Sequence, residues 1–296
     1  MPKTDTIFQK EYKGLNTDQK EAVDTIEGPV MVIAGPGTGK TTILTLRIAN
    51  ILDKTDTPAS GILALTFTES GVKSMKMKLR KIIGSRADEV RIHTFHGFAS
   101  SVISEFPEHF PHLSRSKQIT DVEAASYVRS ILKDKKFSKL RPLGDTDFYI
   151  NKILSSIGDS KKEAQSPEDV KTFAEQEIQN IKTDPNSISS RGASKGELKA
   201  DALKRIDKCE KTILFSQVFA EYEKKKKDEY KMDFDDLLYE LLQALKNDEL
   251  ILRLLQEKFL YIMVDEHQDT NDSQNLVVAH LANFFDNPNQ GGAARG

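Results

Sequence analysis

A run of branched apolar residues, Val30 to Ile33, leads into Ala34-Gly35-Pro36-Gly37-Thr38-Gly39-Lys40-Thr41-Thr42, and apolar residues at helical spacing follow through Ile48 and Leu52. Strand, glycine-rich turn and helix in that order make a phosphate-binding loop. Gly37 and Gly39 let the backbone turn its N–H groups toward one concavity, and the helix N-terminus adds positive potential there. Lys40 is placed to neutralise the β- and γ-phosphates, and Thr41 offers a hydroxyl to Mg²⁺, which prefers hard oxygen ligands. Average residue usage gives about a two per cent chance of such a pattern anywhere in a chain of this length. The first position is Ala34 where glycine is usual, a mild departure.

A second segment supplies what that loop lacks. Phe259 to Val264 reads as a buried strand, and Asp265 and Glu266 follow it directly. Side chains there emerge at the carboxyl edge of a parallel sheet, where ligands bind in α/β folds. One carboxylate can join the Mg²⁺ shell while its neighbour orients and deprotonates the attacking water of phosphoryl transfer.

The run Ile62 to Phe67 reads as another buried strand, with Val90 to Thr94 a weaker fourth, and a helical pattern from Val72 through Met77 and Leu79 follows the former. This βα alternation predicts an α/β core with a parallel sheet. Between about residues 103 and 230 the strand pattern gives way to polar, charge-rich helical sequence, an inserted helical subdomain. Its loops, Thr183 to Gly196 above all, are rich in Ser, Asn and Gly and read as mobile. An amphipathic helix runs from Asp233-Phe234-Asp235-Asp236-Leu237-Leu238 to about Leu245, and another from Leu250 to Lys258.

The 296 residues, 38% apolar and 30% charged, are enough for two ordinary domains. No apolar run reaches the ~18 residues of a membrane span, the N-terminus lacks a secretory signal, and a single cysteine, Cys209, excludes an internal disulfide and any multi-cysteine zinc site. The chain reads as cytoplasmic. A net charge of −2 argues against coating nucleic acid by bulk charge but leaves room for a narrow basic track. Lys224 to Lys227, set among Glu221, Glu223, Asp228 and Glu229, reads as the solvated face of a helix.

Smaller signals lie near these motifs. Leu15 to Val23 reads as a helix start capped by Asn16 or Thr17, and the amide of Gln19 matches the edge of adenine. Thr66-Phe67-Thr68 and Thr94-Phe95-His96-Gly97-Phe98 put hydroxyls, aromatics and an imidazole at strand tips, groups suited to a single strand of nucleic acid. At least one of Phe67, Phe95 and Phe98 is expected to be core.

Together these segments resemble the N-terminal half of superfamily 1 DNA helicases of the UvrD/Rep type. Leu15 to Val23 is similar to the family's Q motif, Ala34 to Thr42 to its motif I, Ile62 to Met75 to motif Ia, Asp233 to Leu238 to its DFDDLL segment, and Val264 to Gln274 to motif II. The resemblance implies a RecA-like P-loop NTPase domain 1A at 1–102 and 231–289, discontinuous and incomplete, a helical subdomain 1B at 103–230, and a flexible tail at 290–296. It implies ATP and Mg²⁺ as cofactors, single-stranded DNA and a single-strand/duplex junction as partners, repair or replication proteins as further partners, and translocation 3′ to 5′. By residue it implies Gln19 on adenine, Ala34 to Thr42 around the nucleotide, Lys40 on phosphates, Thr41 and Asp265 on Mg²⁺, Glu266 as base and Gln268 near the γ-phosphate. Thr66, Phe67, Thr68, Thr94, Phe95 and His96 would meet DNA.

This chain departs from the family at Thr42, where arginine is common, at Glu69, a frequent asparagine, and at His267, a usual aromatic. No GDxxQSIY-like segment follows motif II, and in the family's fold that strand lies between the strands of motifs I and II. The expectation is a C-terminally truncated helicase with a damaged sheet, weak ATP binding and little activity alone. Two other readings are a nucleotide-gated DNA-binding module that does not unwind and the motor subunit of a helicase–nuclease complex. The phosphate loop alone would also admit a nucleotide kinase or an AAA-type ATPase, but the accompanying motifs argue against both.

Overall fold

The structure is a computed structural model that describes residues 4–35, 37–141, 147–189 and 196–283. The chain divides into two compact units, residues 1–109 with 241–296 and residues 110–240.

In the first unit, helices α1 (Thr4–Lys13) and α2 (Thr17–Asp24) precede the glycine-rich turn, and α3 (Lys40–Lys54) follows it. Strand β1 (Ile62–Thr66), helix α4 (Glu69–Ile83), strand β2 (Arg91–Thr94) and helix α5 (Phe95–Glu105) come next. A parallel three-stranded sheet has the order β2-β1-β5, where β5 is Tyr261–Val264, so the central strand is β1. All five residues of β1 are buried, as a strand flanked on both edges and covered on both faces must be. Ile62 and Ala64 share one core with Ile48, Ile51 and Leu52 of α3, Met75 and Leu79 of α4, Ile92 of β2 and Met263 of β5. Each such aliphatic side chain contributes roughly 1.5–3 kcal/mol by leaving water.

Val30 to Ile33, expected as a buried strand, is not one. The segment has no regular structure, and Met31 and Ile33 are 80% and 91% exposed. A strand exists only by hydrogen bonding to a neighbour, and no described segment pairs with Val30 to Ile33. The resemblance placed a further strand between this segment and β5; no described residue supplies it, so the outer edge of β5 has no strand partner among the described residues.

The second unit is mainly helical: α6 (Asp121–Leu132), α7 (Ile150–Lys162), α8 (Pro167–Thr183) and α9 (Ala200–Asp228). Its core joins Val128, Phe137, Ile153, Ile157, Val218, Phe219 and Tyr222. The region also holds a strand pairing that periodicity missed: β3 (Lys117–Gln118) lies parallel to β4 (Lys231–Met232), too short for any alternation to show. Helix α10 (Phe234–Asn247) follows, then α11 (Glu249–Lys258) ahead of β5 and α12 (Asp272–Ala282) after it. In the loop expected at 183–196, Ile188 bridges to Leu198, and residues 190–195 lie outside the described residues, as does the tail at 290–296.

Lys226 corrects the reading of the four-lysine run as a solvated face. It is 1% exposed, as is Lys161 of α7. Lys161 Nζ donates to Asp233 Oδ2 at 2.8 Å and Asp236 Oδ1 at 2.6 Å, and Lys226 Nζ donates to Asp233 Oδ2 at 2.5 Å and Asp236 Oδ2 at 2.7 Å. Glu223 Oε1 lies 2.9 Å and 3.0 Å from the same two ammonium nitrogens. Lys225, next in the run, sits over the Tyr127 ring at 4.6 Å. The network binds α7, α9 and the start of α10. Burial works against the charge of Lys161, but Glu223, Asp236 and Asp233 outweigh it and hold its pKa well above the usual value. Burial also works against the charge on Asp233, yet the two lysines hold its carboxyl down at about 2. Burial pushes Glu223 the other way.

Lys161→Met should destabilise the second unit by about 3–5 kcal/mol, because it leaves buried carboxylates short of a counter-charge; urea melts of the two proteins measure it. With its folded pKa near 2 and an ordinary value of 3.8, Asp233 contributes stability that is complete above pH 3.8 and is lost as pH falls toward 2. Asp233→Asn should flatten that acid limb of the stability profile. In the first unit, Leu63→Ala should cost about 2–5 kcal/mol, while Ile33→Ser should change the melt by less than about 0.5 kcal/mol. A large loss at Ile33 would show that Val30 to Ile33 is buried after all.

Candidate nucleotide and nucleic-acid site

The glycine-rich turn owes its shape to two glycines. Gly37 has φ 76° and Gly39, the N-cap of α3, has φ 88°, left-handed values that side chains other than glycine adopt only with strain. Thr38 Oγ1 closes the turn by donating to the Gly35 carbonyl at 2.7 Å. The first turn of α3 carries no acidic residue, so nothing on the helix itself offsets the positive potential of its N-terminus. Pro36 lies outside the described residues.

Gln19 is fixed from both ends. Its Oε1 accepts from Asn16 N at 3.0 Å while Gln19 N donates to Asn16 Oδ1 at 2.9 Å, a capping box that starts α2. Its Nε2 donates to the Thr38 carbonyl at 3.1 Å. Asn16, rather than Thr17, is the cap. The end of α2 is held to α3 by Arg47, which donates to the carbonyls of Ala22 at 2.8 Å, Ile26 at 3.1 Å and Thr25, and by Asn50, which donates to Val23 O at 2.9 Å. A cavity of about 360 Å³ opens beside the turn, lined by Lys10, Leu15, Gln19, Thr38, Gly39 and Thr42. Ala34, by contrast, is half-buried and lines no part of that cavity.

Parallel register brings the carboxyl ends of the three strands side by side. Thr94 stands opposite Thr66, and Asp265 follows Val264, the partner of Leu65. Asp265 N donates to Leu65 O at 2.8 Å, which holds the acidic pair at the sheet edge. Asp265 is buried, and burial together with the charge of Glu266 raises its pKa, while the Glu266 N–H, Lys40 and the Thr41 hydroxyl pull it back. Thr41 and Asp265, expected to share a cation, are thus brought together. Glu266 has φ 53°, a left-handed backbone for a residue with a full side chain. Its Oε2 accepts from Lys40 Nζ at 2.8 Å and from Gln268 Nε2, and these two bonds lower its pKa. The same bond to Glu266 raises the pKa of Lys40.

Other parts of the acidic motif are fasteners. Asn271 and Gln274 form the capping box of α12, and Thr270 Oγ1 lies 2.6 Å from Asn275 Oδ1 and donates to the His267 carbonyl at 2.7 Å. They explain why the motif extends so far past its carboxylates. His267 itself is exposed.

At the other strand tips, Thr68 caps α4 by accepting from Gly71 N, and Thr94 caps α5 by accepting from Gly97 N, each at 3.0 Å. Thr94 also donates to Glu69 Oε1 at 3.2 Å, so the departure at Glu69 ties the two tips together. Phe67 is 51% exposed, whereas Phe95 and Phe98 are each 2% exposed. Phe95 was expected to meet DNA, but its ring is packed in the interior and presents no face to a base. His96 is half-buried. The sequence reading missed Gly71 and Gly97: a Cβ would meet Thr66 Oγ1 at 2.6 Å at the first and Thr94 Oγ1 at 2.9 Å at the second. The signal was present, a glycine three residues after each capping threonine.

The sequence profile of the UvrD/REP helicase N-terminal domain matches residues 15–287. The chain is 31% identical over 282 residues to the ATP-dependent DNA helicase PcrA of Bacillus subtilis (strain 168), covering 95% of this chain and 33% of that protein. It is 30% identical to PcrA of Staphylococcus epidermidis (strain RP62A), covering 93% and 32%, and 29% identical to PcrA of Staphylococcus aureus (strain Mu50), covering 92% and 32%. The chain therefore spans about a third of the length of these relatives. Among the described residues no helix is long and apolar enough to cross a membrane. With a glycine-rich turn at the start of α3, paired carboxylates at the sheet edge and a profile match over almost its whole length, this chain belongs to the UvrD/REP helicase N-terminal domain family.

Proposed function

We propose that this chain is the ATP-binding part of a DNA helicase or translocase that moves 3′ to 5′, its first unit a RecA-like P-loop motor domain and its second the inserted 1B subdomain. The observation that carries the reading is the convergence of Lys40, Thr41, Asp265 and Glu266 at the N-terminus of α3. Backbone N–H groups of the turn from Ala34 to Gly39 would cradle the phosphates, with Lys40 on the β- and γ-phosphates and Thr42 beside them. Gln19, anchored to the turn through Thr38, would read adenine from the adjoining cavity. Thr41 and Asp265 fit a Mg²⁺ ion, being a hydroxyl and a partly desolvated carboxylate side by side. Bound there, Mg²⁺ would supply neutralisation of charge on the phosphate oxygens. Glu266 would accept a proton from the attacking water, and Gln268 would orient groups at the γ-phosphate.

Single-stranded DNA would cross the tips of β1 and β2. Phe67 offers an exposed ring for a base, and Thr68, Thr94 and His96 lie at the same strand tips, which supports sequence-tolerant binding, whereas Thr66, expected to meet DNA, is buried at 3% exposure. A single-strand/duplex junction and repair or replication proteins are the further partners that the family reading supports. One observation favours the alternative of a nucleotide-gated DNA-binding module: Val30 to Ile33, which leads into the phosphate turn, is not anchored in the sheet.

ATP hydrolysis with Mg²⁺, with and without single-stranded DNA, separates these readings. DNA-stimulated turnover that Lys40→Ala removes supports the motor; nucleotide binding without turnover supports the module. Lys40→Ala should weaken nucleotide binding by about 100-fold or more. Wherever turnover is measurable, Glu266→Gln should keep nucleotide binding and lower the rate by roughly 10²–10⁴-fold, and near-parental turnover would remove Glu266 as the base. Phe67→Ala should weaken single-stranded DNA binding by about 5- to 100-fold through lost stacking, with an unchanged melting curve. Phe95→Ala should instead lower stability by about 3–5 kcal/mol, and calorimetry distinguishes the two.

A further inference from the structure

Both donors expected around the γ-phosphate are directed at one carboxylate oxygen. Lys40 Nζ and Gln268 Nε2 each donate to Glu266 Oε2, the first at 2.8 Å. A carboxylate oxygen has two lone-pair directions, so two such bonds saturate it. Glu266 has left-handed backbone at the end of β5, and its side chain reaches Lys40 at the start of α3. Among the described residues Lys40 has no second partner at hydrogen-bonding distance; Asp265 and Asp269 act on it only through space. The ammonium that a phosphate would need and the carboxylate that a water would need thus occupy each other.

We propose that the Lys40–Glu266 ion pair is a latch that nucleotide must open, an inference that rests on the phosphate-site reading above. Phosphate binding exchanges one anionic partner of Lys40 for another. The same exchange strips a hydrogen bond from Glu266 Oε2 and returns a lone pair to it. Entry of the phosphates thereby frees Glu266 Oε2 from the ammonium. No covalent bond changes in this step; one ion pair replaces another. The pair is only partly buried, with side-chain exposures of 25% and 38%, so its grip is modest and a polyanion can displace it.

Nucleotide affinity in the absence of divalent cation tests the latch apart from catalysis. ADP and adenosine are titrated by calorimetry into the full chain and its Glu266→Gln, Glu266→Ala, Asp269→Asn and Lys40→Ala variants. Glu266→Gln and Glu266→Ala should bind ADP about 3- to 10-fold tighter, because Lys40 no longer has to leave a partner, and adenosine should bind all variants alike. Asp269→Asn removes the same charge nearby without touching the Lys40 bond, so its gain should be clearly smaller. An unchanged ADP affinity in both Glu266 variants, or an equal gain in Asp269→Asn, overturns the latch while leaving the phosphate site intact if Lys40→Ala still abolishes ADP binding. ADP binding that survives Lys40→Ala undiminished, or that no variant shows, overturns the phosphate-site reading and the latch with it.

Discussion

The pairing of β1 with β2 on one side and β5 on the other is the constraint from which the first unit follows. Because both pairings are parallel, the three strands end at the same edge, and the residues next in sequence, Thr66 to Thr68, Thr94 to His96 and Asp265 to Glu266, are delivered to one surface. The helices that return the chain to the next strand must begin at that edge too. Their N-terminal turns therefore face the same way, capped by Thr68 and Thr94. Remove β1 and the acidic pair loses the Leu65 carbonyl that positions Asp265. The core that seats α3 under the phosphate turn goes with it.

The second unit solves a different problem. Much of its sequence is charged, and its helices meet across two lysines that no solvent reaches. An isolated buried ammonium would be driven neutral. Asp233, Asp236 and Glu223 surround both ammonium groups, and the cost of burying the acids is offset by the same contacts. The DFDDLL segment thus serves as more than a helix start. Asp233 and Asp236 each accept the other's backbone N–H at a carboxylate oxygen at the N-terminus of α10 while holding α7 and α9 through the same side chains.

Much of this was legible in the residues. Apolar spacing located α3, α4, α10 and α11, and the short branched runs located β1, β2 and β5 within one or two residues. The start of α2 was legible with Asn16 or Thr17 as its cap, and the structure selects Asn16. The pattern could not show which apolar runs find a partner. Val30 to Ile33 is apolar like β1 and ends up exposed, because strand formation is a property of two segments and not of one. Phe95 and Phe67 illustrate the same limit: each directly follows a strand, and only packing decides that one ring faces the interior and the other solvent.

By itself the sequence determined the chemistry available and its order along the chain. A glycine-rich turn must precede a helix because Gly37 and Gly39 need left-handed backbone, and the acidic pair must follow an apolar run that buries as a strand. Only the tertiary structure decided which of these groups meet. Lys40 and Glu266 are 226 residues apart and touch because β5 pairs beside β1. Lys226, one of four identical neighbours, is buried because a single face of α9 turns toward α7 and Asp236. Contacts between residues distant in sequence depend on chain closure and packing, which no local pattern encodes.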